Sequence, residues 1–282
     1  MSILNSLLRP LIDTLQAPLA GSSPLLGVTL WSIPTAWFAL LVFKWASNQD
    51  RIAEVKRRIQ ACLFEIRLFN DDLRAIVRAQ GEILRHVVHY QALALKPMIW
   101  ILPPLVLLMV HLHAFYGFRA LQPGDEALVT VEIEDGWRSP DESDGPPVSL
   151  DAPPGVRLDT PAVWAPPLNE VSWRIVAEAP GDYVLQFAVG DQHISKSFAV
   201  TDRMVRLSPT RPNHSFLGQL EWPSEPPLPR STPIRAIHVS YPEGDVDIFG
   251  WVLDSQYAWM VVFFVLTMVI AVALKGRMGV EL

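Results

Sequence analysis

Three apolar runs dominate the pattern of the chain, over residues 25–44, 97–118 and 257–275. Apart from the lysines that close the first and third, none contains Lys, Arg, Asp or Glu. A helix needs about twenty residues to cross the roughly 30 Å of hydrocarbon in a bilayer. Soluble core helices rarely run so long without charge, so the pattern predicts three transmembrane helices. Over 1–20, Leu4, Leu7, Leu8, Leu11, Ile12 and Leu15 recur at helical spacing, with Asn5, Asp13 and Gln16 off that face. This predicts an amphipathic helix, either lying on the outer membrane interface or packed on the bundle, before Pro18 and a Gly-Ser-Ser-Pro turn. Arg9 comes late and no small-residue cleavage site follows, which argues against a secretory signal.

Between the first two runs, over 48–95, the period stays helical. Ile52, Val55, Ile59, Leu63, Ile66 and Phe69 fall three or four apart, and Leu73, Ile76, Val77, Gln80, Leu84 and Val87/Val88 repeat the pattern after Asn70-Asp71-Asp72. Two helices of about twenty residues, each roughly 30 Å long, are expected to pair as an antiparallel coiled-coil hairpin. A bare connection between spans needs far fewer residues, so the hairpin is expected to offer a binding surface.

Beyond the Pro123-Gly124 turn the period changes to two. Strands are expected over 127–133, 148–150, 156–158, 171–177, 183–189, 193–200 and 204–207, punctuated by Pro, Gly and Asp. Such spacing favours an antiparallel immunoglobulin-like sandwich over 123–207, with Trp173 in its core and Tyr183 bonding back to the backbone at a sheet corner. The proline-rich stretch that follows, within 208–256, reads as an extended linker, to which 237–241 adds one strand. Residues 276–282 form a short tail.

Charge then sets the sidedness. Lys44 to Lys96 holds about ten basic residues against six acidic ones, whereas Arg119 to Gln256 holds roughly twice as many acids as bases. Lys44, Arg51, Lys56, Arg57, Arg58, Arg85, Lys96, Lys275 and Arg277 flank the spans on one side, which puts the N-terminus outside and the C-terminus in the cytoplasm. The expected setting is a bacterial cytoplasmic membrane with the β-domain in the periplasm. Cys62 is the only cysteine, so internal disulfides and cysteine-based metal centres are excluded.

Little in the chain suggests catalysis. The hairpin arginines, chiefly Arg57, Arg58, Arg67, Arg74 and Arg78, suit anionic lipid headgroups, ribosomal RNA or an acidic protein. His86 and His89 share a helix face without further ligands in the pattern, and Glu243, Asp245, Asp247 and Asp254 match no calcium loop, so a solvated acidic rim is expected. His111 lies within span two, where an ionisable group is costly; it serves either function or a carbonyl freed by Pro103 and Pro104. Phosphate-binding glycine motifs are absent. No enzyme activity, cofactor, metal or DNA partner is expected.

The order of elements and the run Leu95-Lys96-Pro97-Met98-Ile99-Trp100-Ile101-Leu102-Pro103-Pro104 resemble the YidC/Oxa/Alb superfamily of membrane insertases. The likeness is to its three-span type, such as the Oxa-like subunit of the ER membrane complex and archaeal relatives. It covers roughly 25–118 and, by position, 257–275. The resemblance implies a non-enzymatic insertase or assembly factor whose spans enclose a hydrophilic groove. Groove candidates here are Thr29, Ser32 and Thr35, His111, Thr267, and Pro103 and Pro104, which are expected to kink span two. Nascent membrane proteins or the ribosome would be partners alongside the bilayer. The chain lacks an intramembrane basic residue, and it inserts a folded domain before span three. The alternative is a structural or adaptor subunit of an envelope complex, binding other subunits through its acidic outer domain.

Overall fold

The computed structural model describes residues 1–47, 49–69, 72–134 and 148–280. Three helices are long and apolar enough to cross a membrane: α2 (Pro24–Ala46), α5 (Met98–Tyr116) and α7 (Ala258–Met278). They cover the three apolar runs, with α7 continuing past Lys275 into the expected tail. The chain divides into two compact units, Met1–Val28 with Leu107–Val261, and Thr29–Val106 with Val262–Leu282.

The second unit contains most of the spans and the helices α3 (Gln49–Leu68) and α4 (Leu73–Leu95). Asn70 and Asp71 of the expected turn lie outside the described residues. The Asp72 carboxylate accepts the backbone N–H of Arg74 at 2.9 Å, as an N-cap acceptor does for an early orphan donor. Helices α3 and α4 pack antiparallel, since Lys56 lies over the Tyr90 ring at 5.7 Å and Cys62 Sγ meets Glu82 Oε2 at 4.0 Å. Span α5 begins where Pro97 ends the previous helix, its carbonyl accepting the first bond from Ile101 N–H. Proline is tolerated there because no helical donor is lost.

The first unit holds α1 (Ser2–Gln16) and the β-rich domain. Its strands are β1 (Glu126–Ile133), β2 (Ser149–Asp151), β3 (Val156–Leu158), β4 (Val163–Ala165), β5 (Glu170–Ala177), β6 (Gly181–Val189), β7 (Gln192–Val200), β8 (Thr210–Pro212), β9 (Ile234–Val239), β10 (Asp245–Ile248) and β11 (Trp251–Asp254). One sheet runs β3-β5-β1-β9-β8 with β4 also on β5, a second runs β2-β6-β7, and β10 pairs with β11. The first two share one apolar core in a sandwich-like arrangement. Trp173 of β5 meets Phe187 of β6 edge-on at 5.9 Å, and alternate residues such as Val129, Val131 and Val171 are fully buried, as period-two patterning requires.

The corner expected at Tyr183 is present. Its hydroxyl donates to Ala179 O at 2.9 Å and leaves no room for a side chain at Gly155, where a Cβ would approach that oxygen to 2.3 Å. With φ at +98°, Gly155 is also where an L side chain would be strained. Tyr183→Phe is expected to cost about 1 kcal/mol, the ordinary worth of one such hydrogen bond, read from a urea midpoint followed by tryptophan fluorescence.

Two expectations are corrected. Residues 204–207 form no strand, because their donors are spent elsewhere: Met204 N–H on Ala20 O, and Leu207 N–H on Ala114 O near the open carbonyl end of α5. Residues 208–256 are no linker. Strand β9 lies between β1 and β8, Leu228 is fully buried, and a helix α6 (Phe216–Glu221) is capped by Ser215, whose hydroxyl accepts Gly218 N–H. The prolines fit because β8 is an edge strand, where a missing donor does no harm. Beyond it, β10 and β11 join through Phe249 and Gly250, both with positive φ, as a type I′ hairpin turn demands.

Candidate functional site

The hairpin seam is narrower than its apolar pattern. Ile52, Val55, Cys62 and Ala79 are buried, but Leu63, Phe69, Leu73, Val77, Leu84 and Val88, which the periodicity assigned to the pairing, are exposed. Small residues (Cys62, Ala79) at the crossing let the helices close on a thin seam. Burial and the Glu82 and Glu65 carboxylates push the Cys62 thiol up, which keeps it neutral. Those three residues form the only group of potential cation ligands close together among the described residues. The acidic residues near span three do other work: Asp247 accepts Gly250 N–H at 2.7 Å, and Glu243 accepts Gln256 N–H at 3.2 Å.

Of the hairpin arginines, Arg58 pairs with Glu54 at 2.5 Å and Arg78 with Glu82 at 3.3 Å, each one helical turn apart, while Arg57 donates to Ala53 O at 3.4 Å. Arg67 and Arg74 are exposed. Exposed pairs of this kind contribute little stability, so the charge remains available to a partner. His86 and His89 line a surface depression of about 520 Å³ with Arg51, Arg58, Arg85, Glu54 and Glu82.

Among the spans of the same unit, Ser32 is fully buried on α2 and its hydroxyl lies 3.4 Å from Phe263 O on α7. Thr35, one turn on, donates to Trp31 O of its own helix at 2.8 Å. Thr29 is half-buried on the same helix. Thr267 carries a buried hydroxyl without a partner, one turn beyond Phe263. The structure thus brings Ser32 and α7 together. It does not bring the prolines in: Pro103 and Pro104 are exposed, and α5 continues as α-helix through both. Trp45 and Trp100 meet edge-on at 6.1 Å at the hairpin end of their spans.

His111 belongs to the other unit. It is completely buried, its Nδ1 lies 2.8 Å from Leu107 O of its own helix, and its Nε2 has no partner. The carbonyl is therefore not one freed by the prolines, which would release Ile99 and Trp100 instead. Nearby, α1 docks by its polar side. Asn5 Nδ2 donates to Gln219 O at 2.7 Å, Arg9 donates to Pro223 O and to Glu225 O, Asp13 pairs with Arg206 at 2.7 Å, and Gln16 bonds Tyr116 Oη at 2.9 Å. Ile3, Leu7, Leu11 and Leu15 face outward. Arg206 also lies 4.8 Å from the Phe115 ring centre, and its two terminal nitrogens are buried without partners, as is Asn5 Oδ1. Burial lowers the Arg206 pKa, and Asp13 opposes that effect. The end of α5 is tightly packed: a Cβ at Gly27 would meet Tyr116 Oη at 2.2 Å, and Trp259 is fully buried and donates to His113 Nδ1 at 3.3 Å.

A second buried charge cluster lies in the β-domain. Lys196 is wholly buried beside Glu225, Nζ to Oε2 at 2.5 Å, and that carboxylate also accepts Ser208 Oγ–H at 2.5 Å and Ser197 N–H at 2.7 Å. Lys196 sits in a strand where alternation marks it as inward-facing, which is the one signal available. With every group paired and packed inside, the arrangement is structural. No family model, curated protein or solved structure matches the chain.

Proposed function

We propose that the chain is a non-enzymatic factor for membrane-protein insertion or assembly, of the three-span YidC/Oxa type. The observation that carries the reading is one unit in which two spans are joined by a long pair of helices, α5 is entered through Leu95-Lys96-Pro97-Met98, and hydroxyls are buried between the spans. In this reading the N-terminus is outside, the hairpin is a cytoplasmic coiled coil that receives clients or the ribosome, and an immunoglobulin-like domain lies in the periplasm. The outward leucines of α1 rest on the outer leaflet, since its polar face is already occupied. Chemistry would be limited to solvation: Ser32, Thr35 and Thr267 offer hydrogen bonds to a polar segment in transit, lowering its cost in hydrocarbon.

Depletion of the protein followed by membrane proteomics tests this directly; unchanged abundance of every membrane protein would sink the insertase reading. The paired substitution Ser32→Ala with Thr267→Val keeps size and removes both hydroxyls. Reduced client insertion at normal protein level is the expected result, read by protease protection of reporter proteins.

The second reading, an adaptor subunit of a cell-envelope complex, is favoured by the clasp between α1 and the β-domain, which builds a fixed outer platform. It predicts that the hydroxyl-free variant behaves as wild type and that deletion of the β-domain releases other subunits from the complex on native gels.

A further inference from the structure

Helix α4 has three faces, where one arm of a two-helix hairpin needs only two. The triplets Ile76-Val77-Arg78 and Ile83-Leu84-Arg85 recur seven residues apart. Neighbouring residues on a helix differ by about 100°, so the triplets sort into three parallel rows. The first row, Ile76 and Ile83 with Ala79 between, is buried or half-buried toward α3. The second contains Leu73, Val77, Leu84, Val88 and Leu95, at separations of four, seven, four and seven, and each is at least 50% exposed. The third contains Arg74, Arg78 and Arg85, all exposed, on the flank where Arg85 borders the depression shared with α3.

An apolar row at heptad spacing along a 23-residue helix is the surface one helix presents to another in a coiled coil. About 35 Å long, the row runs from Leu95 beside the start of α5 to Leu73 at the far end of the hairpin. The bordering arginines select the occupant's charge. Glu82, the only acid on α4, already pairs with Arg78. A second copy of the chain is a poor fit: antiparallel pairing sets arginine row against arginine row, and parallel pairing sets it beside an α3 with five basic and three acidic residues.

We propose that this face of α4 docks an amphipathic helix of a partner protein, with apolar residues at heptad spacing and carboxylates along the flank that meets Arg74, Arg78 and Arg85. Burying the stripe supplies affinity, and the arginine row supplies orientation and choice of partner.

The test uses the full chain in nanodiscs and two labelled synthetic peptides of about three heptads, identical except that flanking positions are all Glu or all Lys. Fluorescence anisotropy is expected to show the Glu peptide binding at least about tenfold more tightly. Val77→Asp with Leu84→Asp abolishes that binding, and Arg74→Glu, Arg78→Glu and Arg85→Glu together invert the preference. The substituted positions are on the surface, and unchanged helical circular dichroism confirms the fold; an Arg→Gln triple that merely erases the preference gives a milder second reading. Equal binding of both peptides, or a preference untouched by charge reversal, overturns the proposal. So does disulfide crosslinking between copies through Leu84→Cys in a Cys62→Ser background, which assigns the stripe to self-association. Insertion activity plays no part in the measurement, so this binding and the insertase reading stand or fall separately.

Discussion

Glu225→Gln is expected to cost the β-domain about 3–5 kcal/mol at neutral pH, because it leaves the Lys196 ammonium buried without its counter-charge. Lys196→Met has an effect of similar size from the other side, stranding a carboxylate that is nearly buried. The double variant Lys196→Met with Glu225→Leu is expected to recover most of the loss, since two apolar groups of similar volume escape the desolvation of both charges. Urea unfolding of the full chain in detergent, followed by tryptophan fluorescence, reads all three; additive losses in the double variant would contradict the pairing. The same site sets an acid limit. Burial pushes Glu225 up, but Lys196, Ser208 and the Ser197 N–H outweigh it and hold the carboxyl below its ordinary value of 4.5. A depressed carboxylate contributes in full above the unfolded value and loses its contribution as pH falls through the folded one. Stability in the wild type therefore declines below about pH 4.5, and Glu225→Gln flattens that decline.

Ile237→Ala is expected to cost about 2–5 kcal/mol, the range for emptying a leucine-sized volume in a closed core. Ile237 is fully buried in β9, opposite Val131 of β1 and Arg211 of β8. Were the segment after residue 207 a surface linker with one loose strand, the same change would fall within about 0.5 kcal/mol. Thermal unfolding separates these outcomes easily, with Ile237→Val as the milder control at about 1 kcal/mol.

That comparison marks where the sequence stopped being readable. Spans announce themselves because hydrocarbon demands an uncharged run of fixed length, and β1, β5, β6 and β7 announce themselves because each alternates over eight or nine residues. Strand β8 has three residues and ends in proline, so no period can develop. Its place is set by partners distant in sequence. Helix α4 misled in a different way: one apolar pattern held two stripes, and only packing against α3 divides Ile76 from Val77. The serine and threonine candidates were visible as polar interruptions of apolar runs. Arg206 was not, since nothing local distinguishes it from a surface cation, and Lys196 was marked only by its inward place in the alternation of β7. Within α1 the periodicity located the helix correctly, yet docking runs through Asn5, Arg9, Asp13 and Gln16, because hydrogen bonds and charge bind that face while the leucines stay outside.

The clasp on α1 also constrains the order in which the molecule is made. Asp13 and Arg206 are 193 residues apart, and Asn5 and Arg9 wait for Gln219, Pro223 and Glu225 from still later in the chain. At ribosomal speeds of about 5–20 residues per second, that interval lasts roughly 10–40 s. Throughout it the first segment lacks the protein partners of its polar face, while the later apolar runs and the hairpin are already emerging. Closure of the clasp is then among the last folding events, and a nascent chain arrested before Arg206 presents an N-terminus that is open to proteases and chaperones in a way the finished protein is not.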